Sequence, residues 1–341
     1  MNPVQVSEYD YGAPSPGTLL RTTNTSYDSF SIGGWTITKP QVVTVYDGSG
    51  NQAAKTTYEY DNYAHTNQAM QASGTIQHSS TYSTGYTNRS NVTAVSKWRS
   101  SDGATLTATN QYDDAGNLLS VIDPKGYQTS YGYADSWSNG TCAPSGQGKL
   151  YRTSTTNALG KITTSTFNSC TGTVASTKDP NGQTTSLTYD LLSRVKVATY
   201  PAGDGTTTYC YSDDPTGSCY STGAWYATET EAINSSTSVT HKNSYDGLGR
   251  TIESQLTTDP EGIVTTQTVY DGLGRVSEVS NPYRSGDAEY WTTTAYDGIG
   301  RVISVTEADN SATSTSYSGN TTTLTDEAVK QRKSQTEGLA A

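Results

Sequence analysis

Large aliphatic side chains are scarce in this 341-residue sequence. Leu, Ile, Val and Phe together number 46, and there are only two Phe, two Met, three His and four Cys. An aliphatic share under ~20 % ordinarily marks a chain that cannot build a packed core. No run of 18 apolar residues occurs, so no membrane span is expected. The opening Met1-Asn2-Pro3-Val4-Gln5-Val6-Ser7-Glu8 has neither the basic nor the apolar region of a secretion signal. Lys and Arg form no cluster, and 32 acidic residues outweigh 21 basic ones, which argues against a nucleic-acid partner.

What is present points to strands. The chain has 59 Thr, 42 Ser, 26 Tyr and 32 Gly. Thr and Tyr favour strands and Gly supplies turns. A net charge of −11 over this length is too dilute to hold a chain open. The composition predicts an all-β protein with a thin core, not a helical enzyme.

Internal repetition then fixes the kind of β protein. Tyr245-Asp246-Gly247-Leu248-Gly249-Arg250 recurs as Tyr270-Asp271-Gly272-Leu273-Gly274-Arg275 and as Tyr296-Asp297-Gly298-Ile299-Gly300-Arg301. Looser copies are Tyr189-Asp190-Leu191-Leu192-Ser193-Arg194, Phe167-Asn168, Tyr112-Asp113-Asp114-Ala115-Gly116-Asn117 and Tyr46-Asp47-Gly48-Ser49-Gly50-Asn51, with fainter ones at Tyr9-Asp10 and Tyr60-Asp61. A second signal alternates with the first: Asp123-Pro124-Lys125-Gly126, Asp179-Pro180-Asn181-Gly182 and Asp259-Pro260-Glu261-Gly262, with Asn281-Pro282 and Tyr200-Pro201 as partial copies. Gly tolerates positive φ, Asp hydrogen-bonds its own turn, and Pro pre-sets φ at the second turn position. The Thr-, Val- and Tyr-rich stretches between the signals, such as Val264–Tyr270, have strand length. The expected unit is strand, Tyr-Asp turn, strand, Asp-Pro turn.

These hexamers resemble the YD or RHS repeat of bacterial RHS proteins, toxin-complex C subunits and the teneurin shell. The resemblance is strong over 105–341 and weak over 1–104, where insertions such as Ala64 to Ser90 break the spacing. The expected organisation is therefore divergent YD-like repeats over 1–104 and a YD/RHS array over 105–341. That array is expected to stop mid-repeat, at a partial turn signal within Gln335–Ala341, as a fragment of a larger shell. The resemblance implies tandem hairpins in a long curved antiparallel sheet, part of a spiral β-shell. It also implies a non-catalytic scaffold that encloses or presents a toxin-like segment of the same polypeptide. Its expected partners are the rest of that polypeptide and its cargo, in a bacterial, secreted or cell-surface setting. The alternatives are an adhesin that binds cell-surface carbohydrate through exposed Tyr and Trp, and a secreted hydrolase using Asp or Glu.

Residue by residue, enzyme chemistry finds little footing. Gly247-Leu248-Gly249 and its copies lack the third Gly and the helix of a dinucleotide site. His65, His78 and His241 lie in no metal or triad motif, and no cofactor is expected. Calcium at Asp179–Gly182 or Asp213-Asp214 lacks the full ligand spacing of a calcium loop. The recurring Arg194, Arg250, Arg275 and Arg301 suit a ladder that pairs with Asp and stacks on Tyr. Trp35, Trp98, Trp137, Trp225 and Trp291 fall outside the repeat, and core packing is their expected fate. A turn between Cys210 and Cys219 would let two strands bring their sulfurs together, leaving Cys142 to join Cys170 between neighbouring repeats. Two disulfides would mean an oxidising compartment; four buried thiols are the other possibility.

Overall fold

The structure, a computed structural model, describes residues 2–10, 17–65, 67–234 and 236–335. Among them are 24 strands and one short 3-10 turn, Ser80–Tyr82. The partial turn signal that ends the sequence falls largely outside the described residues. The chain divides into two compact units, one up to Gln183 and one from Thr184.

In the first unit, the strands from Gln5–Tyr9 to Val174–Lys178 pair antiparallel, each with its neighbour in sequence. In the second unit, Thr184–Tyr189 to Gln331–Gln335 do the same. Pairing also runs through the change in repeat quality at residue 104, since Val92–Trp98 pairs with Thr105–Tyr112.

The burial pattern explains how so little aliphatic mass suffices. Among the described residues the buried hydrophobic side chains are Ala94, Phe167 and Ala198, whereas buried polar ones include Thr93, Gln68, Ser73, Asp113, Asp114 and Ser212. Main-chain ladders and cross-strand hydroxyl pairs carry the sheet instead. Ser96 meets Thr107 at 2.8 Å, Thr166 meets Ser176 at 2.7 Å and Thr230 meets Thr240 at 3.0 Å.

Two Trp residues depart from the core-packing expectation. Trp35 is 79 % and Trp225 61 % exposed. Trp35 opens Trp35–Asp47, whose pairing with Gln52–Tyr60 starts only at Val42. The tip of its hairpin therefore has no strand on that side to cover the indole. Trp225 opens its own strand, opposite Tyr245 at a hairpin end.

Candidate functional site: the repeat corners

Each Tyr-Asp corner is organised by one carboxylate. Asp246 Oδ1 accepts the N–H of Leu248 (2.9 Å) and of Arg250 (3.0 Å), while Oδ2 accepts Arg250 Nε at 2.7 Å. The Asp246 N–H donates to the Arg250 carbonyl, and Gly249 N–H donates back to the Asp246 carbonyl. Asp271 and Asp297 repeat the whole set, with every bond between 2.7 and 3.1 Å. Closing the turn requires positive φ at the second Gly, and Gly249, Gly274 and Gly300 lie at +78°, +82° and +90°. The first Gly (Gly247, Gly272, Gly298) stands in open space without positive φ, so the turn does not depend on it.

The Asp-Pro signal folds to the same turn. Asp123 Oδ1 accepts from Lys125 and Tyr127 N–H at 2.8 Å each, with Gly126 at φ +85°. Asp179 does so with Asn181 and Gln183, with Gly182 at φ +84°. What separates the two signals is the strand register. Tyr245 pairs with Thr251 but Ser244 with Glu253, which leaves Ile252 as an extra residue. The same bulge recurs at Tyr112, Tyr189, Tyr270 and Tyr296. At Asp123 the pairs Ile122–Gln128 and Val121–Thr129 stay in step. A bulge strengthens local twist, so the two ends of each hairpin are mechanically unlike.

The corners of the second unit are tied one to the next. The guanidinium of Arg250 lies 4.4 Å from the ring centre of Tyr270, that of Arg275 4.5 Å from Tyr296, and that of Arg301 4.1 Å from Tyr317. The same tyrosines donate their hydroxyls to the carbonyl just after the arginine: Tyr270 to Thr251, Tyr296 to Val276 and Tyr317 to Val302, at 2.7 to 3.0 Å. Arg194 follows the rule with Tyr211, which bonds the Val195 carbonyl, and it also forks onto Asp213. A Cβ on Gly274 would approach Arg250 Nη1 to 3.0 Å, so Gly there serves both the turn and the stack. Tyr211 and Tyr317 were not legible as ladder members because Ser replaces the following Asp and because they stand 17 and 16 residues after their Arg, where Tyr270 and Tyr296 stand 20 and 21 after theirs.

Electrostatics agree with this geometry. The Arg250 side chain and then its N–H hold the Asp246 carboxyl below the usual carboxylate range. For Asp271 and Asp297 the backbone N–H of Arg275 and of Arg301 is the leading cause of the same downward shift. For Asp190 burial pushes upward, but the N–H and guanidinium of Arg194 outweigh it.

First-unit corners keep the Asp and change the brace. Asn51 Nδ2 reaches Asp47 Oδ2 at 3.1 Å and Asn117 Nδ2 reaches Asp113 Oδ2 at 3.0 Å, in place of arginine. Two long connections dock there, residues 61–91 and 133–153. Asp61 accepts the N–H groups of Arg89, Ser90 and Asn91 and the Tyr63 hydroxyl. Arg89 Nη1 and His78 Nε2 both contact the Asp114 carbonyl, and Asp114 Oδ1 accepts Ser73 N–H. Lys149 Nζ donates to the Ser73 carbonyl, and Ile76 N–H to that of Gln147. A cleft of about 480 Å³ beside these connections is lined by His78, Asn117, Trp137, Lys149 and Tyr151. Its His78 and Lys149 heads are already engaged in holding the connections. Of these clamp residues only Asp61 was legible in sequence, as the Asp of the faint Tyr60-Asp61 copy; its corner keeps the Tyr-Asp bulge and closes on Asn91 after the inserted connection. Arg89, His78, Ser73 and Lys149 do not recur with the repeat.

Cys142 is joined to Cys170 and Cys210 to Cys219, with Cα atoms 4.9 and 6.1 Å apart. Cys219 lies in the loop before Trp225 and not on the facing strand, so a loop, and not two strands, brings it to Cys210. The Asp213-Asp214 pair offered for calcium is engaged by Arg194, Lys196 and Thr216. His241 sits exposed in mid-strand between Glu229 and Leu256.

Residues 221–336 match the Teneurin YD-shell family and residues 112–139 the RHS Repeat family. The chain carries YD/RHS repeats. No curated protein sequence matches it. Among solved structures, "Crystal Structure of TcdB2-TccC3" aligns at TM-score 0.62 and 11 % identity, covering 90 % of this chain and 20 % of that one. "Crystal Structure of TcdB2-TccC3-TEV" aligns at TM-score 0.45 and 10 % identity, covering 91 % and 27 %. The YD/RHS chain thus spans about a fifth of the length of the first, and the likeness concerns the fold. Within the described residues the YD/RHS corners are scaffold chemistry: each carboxylate is filled by its own turn.

Proposed function

We propose that this YD/RHS chain is a non-catalytic segment of a shell wall that encloses or presents another, toxin-like stretch of the same polypeptide. The ladder carries this reading. From Asp246 on, each Tyr-Asp corner locks onto the next tyrosine through its arginine, so the sheet extends there by adding hairpins and leans little on buried hydrophobic side chains. A wall wet on both sides is suited to contain something without being occupied itself. The corner Asp carboxylates are taken up by turn N–H groups. The two disulfides fit an exported, oxidising setting. Exposed Trp35 and Trp225 favour cell-surface carbohydrate binding as a second reading.

The test is limited proteolysis of the complete natural gene product that contains these residues. If the reading is right, a segment outside the repeats resists protease until Arg250, Arg275 and Arg301 are together replaced by Ala. If every segment outside the repeats is cut as fast in the parent as in the triple variant, enclosure is wrong. Retention on a glycan array, lost in Trp35→Ala or Trp225→Ala, would support the second reading.

A further inference from the structure

The second unit has two unlike edges. Antiparallel neighbours alternate their turns from edge to edge, so the corners at Asp190, Asp246, Asp271 and Asp297 all fall on one of them. Two residues after each Asp stand Leu192, Leu248, Leu273 and Ile299, 67 to 80 % exposed. The turn does not select these side chains, since it uses only their N–H groups. On the opposite edge the same turn position after Asp259 is Glu261, and in the first unit it is Ser49, Ala115, Lys125, Leu159, Cys170 and Asn181, a large and strongly exposed aliphatic only at Leu159. An aliphatic residue is thus placed four times where solubility would favour a polar one.

Spacing and charge indicate what covers it. Strands lie about 4.8 Å apart, so tips two strands apart recur every ~10 Å, and the row from Leu192 to Ile299 runs roughly 38 Å. Leu248, Leu273 and Ile299 keep that interval, while Leu192 stands two intervals before Leu248 with the connection 212–224 between them. A gap of ~10 Å admits one side chain from a facing row of equal period, such as the same row in another copy. With Leu191, the five side chains present roughly 700 Å² of apolar surface, so two copies together pass the about 1,000 Å² of a specific interface. The chain carries −11 and repels itself, but each tip is flanked by an Asp–Arg pair that cancels locally. This edge is where two acidic copies meet at least electrostatic cost.

We propose that the Tyr-Asp edge of the second unit is a self-association surface that takes the same edge of a second copy about a two-fold axis. Sedimentation velocity of the whole chain from about 1 to 100 µM tests it. The parent is expected to dimerise within that range. The Leu248→Ser, Leu273→Ser, Ile299→Ser triple variant is expected to weaken association by roughly 100-fold. Glu261→Ser, on the opposite edge, should leave association unchanged. A parent that is monomeric throughout, or a triple variant that associates like the parent, overturns the proposal. Should the triple variant lose its β-sheet circular dichroism, hydrogen exchange of the parent decides. Amides at 190–194, 246–250, 271–275 and 297–301 should be slowed on concentration; slowing confined to other segments refutes the interface.

Discussion

The two units build the same corner and brace it by different means. From Asp190 onward an arginine closes the turn and reaches the next tyrosine, so one side chain serves two hairpins. At Asp47 and Asp113 an asparagine closes the turn instead, and Asn117 also reaches the Lys149 carbonyl at 3.3 Å. The tyrosine hydroxyls still tie across, Tyr60 to the Pro40 carbonyl and Tyr112 to that of Val92. In place of the arginine stack stand the connections 61–91 and 133–153, pinned by Asp61, Arg89 and Lys149. A guanidinium has length, a planar face and several donors, all of which the amide lacks. A loop can replace it only if the loop is itself held, and that is why Gln68, Ser73, Asp113 and Asp114 are buried polar groups. Local bracing by repetition and distant bracing by insertion are two solutions to one problem: keeping a thin sheet from shearing between hairpins.

The largest way to break this contrast is at Asp61. Asp61→Ala removes the acceptor for three backbone N–H groups and one hydroxyl, and is expected to cost about 3 kcal/mol in denaturant unfolding. Hydrogen exchange should rise over residues 61–91 and stay unchanged over 238–318; a rise in both would mean the brace is not local. Next is Asp190→Ala, whose side chain is 1 % exposed and whose loss strands the turn N–H groups of Leu192 and Arg194, at about 2 kcal/mol. Arg275→Ala should cost about 1 kcal/mol and Tyr296→Leu, which removes the ring, about 2 kcal/mol, and the double variant should cost less than the two together. Strict additivity in that cycle would show that the stack is incidental.

The smallest expected effect has the opposite sign. Ser193 holds the left-handed position (φ +63°) that Gly fills elsewhere, and Ser193→Gly should raise stability by about 0.5 kcal/mol. An unchanged or lower unfolding midpoint would show that Ser193 has a compensating role.

Acid separates the paired carboxylates from everything else. Asp190, Asp246, Asp271 and Asp297 have folded-state values below their unfolded ones, so their contribution is complete above about pH 4 and is lost as pH falls through the lowered values. The melting midpoint should be flat from about pH 5 to 8 with respect to these groups and drop below about pH 4. A drop centred near pH 6 would point to histidine instead.

The turns were readable because their chemistry is local: an Asp, a Gly three residues on, and an Arg one further complete a corner within five positions. The ladder was half readable. Period showed that Arg and Tyr recur in step, but only the fold shows Arg250 facing Tyr270 and the Tyr270 hydroxyl on the Thr251 carbonyl. The kinship of the Tyr-Asp and Asp-Pro signals was hidden by their different second residues, Gly and Pro, neither of which the turn requires. Asp61 was readable as the Asp of a faint repeat copy, though not the insertion it holds; Arg89 and Lys149 were illegible in principle, since Lys149 and Ser73 are 76 residues apart and no period joins them.

Because a second-unit corner makes its ties only to the corner before and the corner after, a 25- or 26-residue stretch excised or duplicated in the gene leaves all other contacts of the ladder in place. Tandem duplication can therefore lengthen such a sheet one hairpin at a time, and its length is open to selection without redesign of the remaining corners.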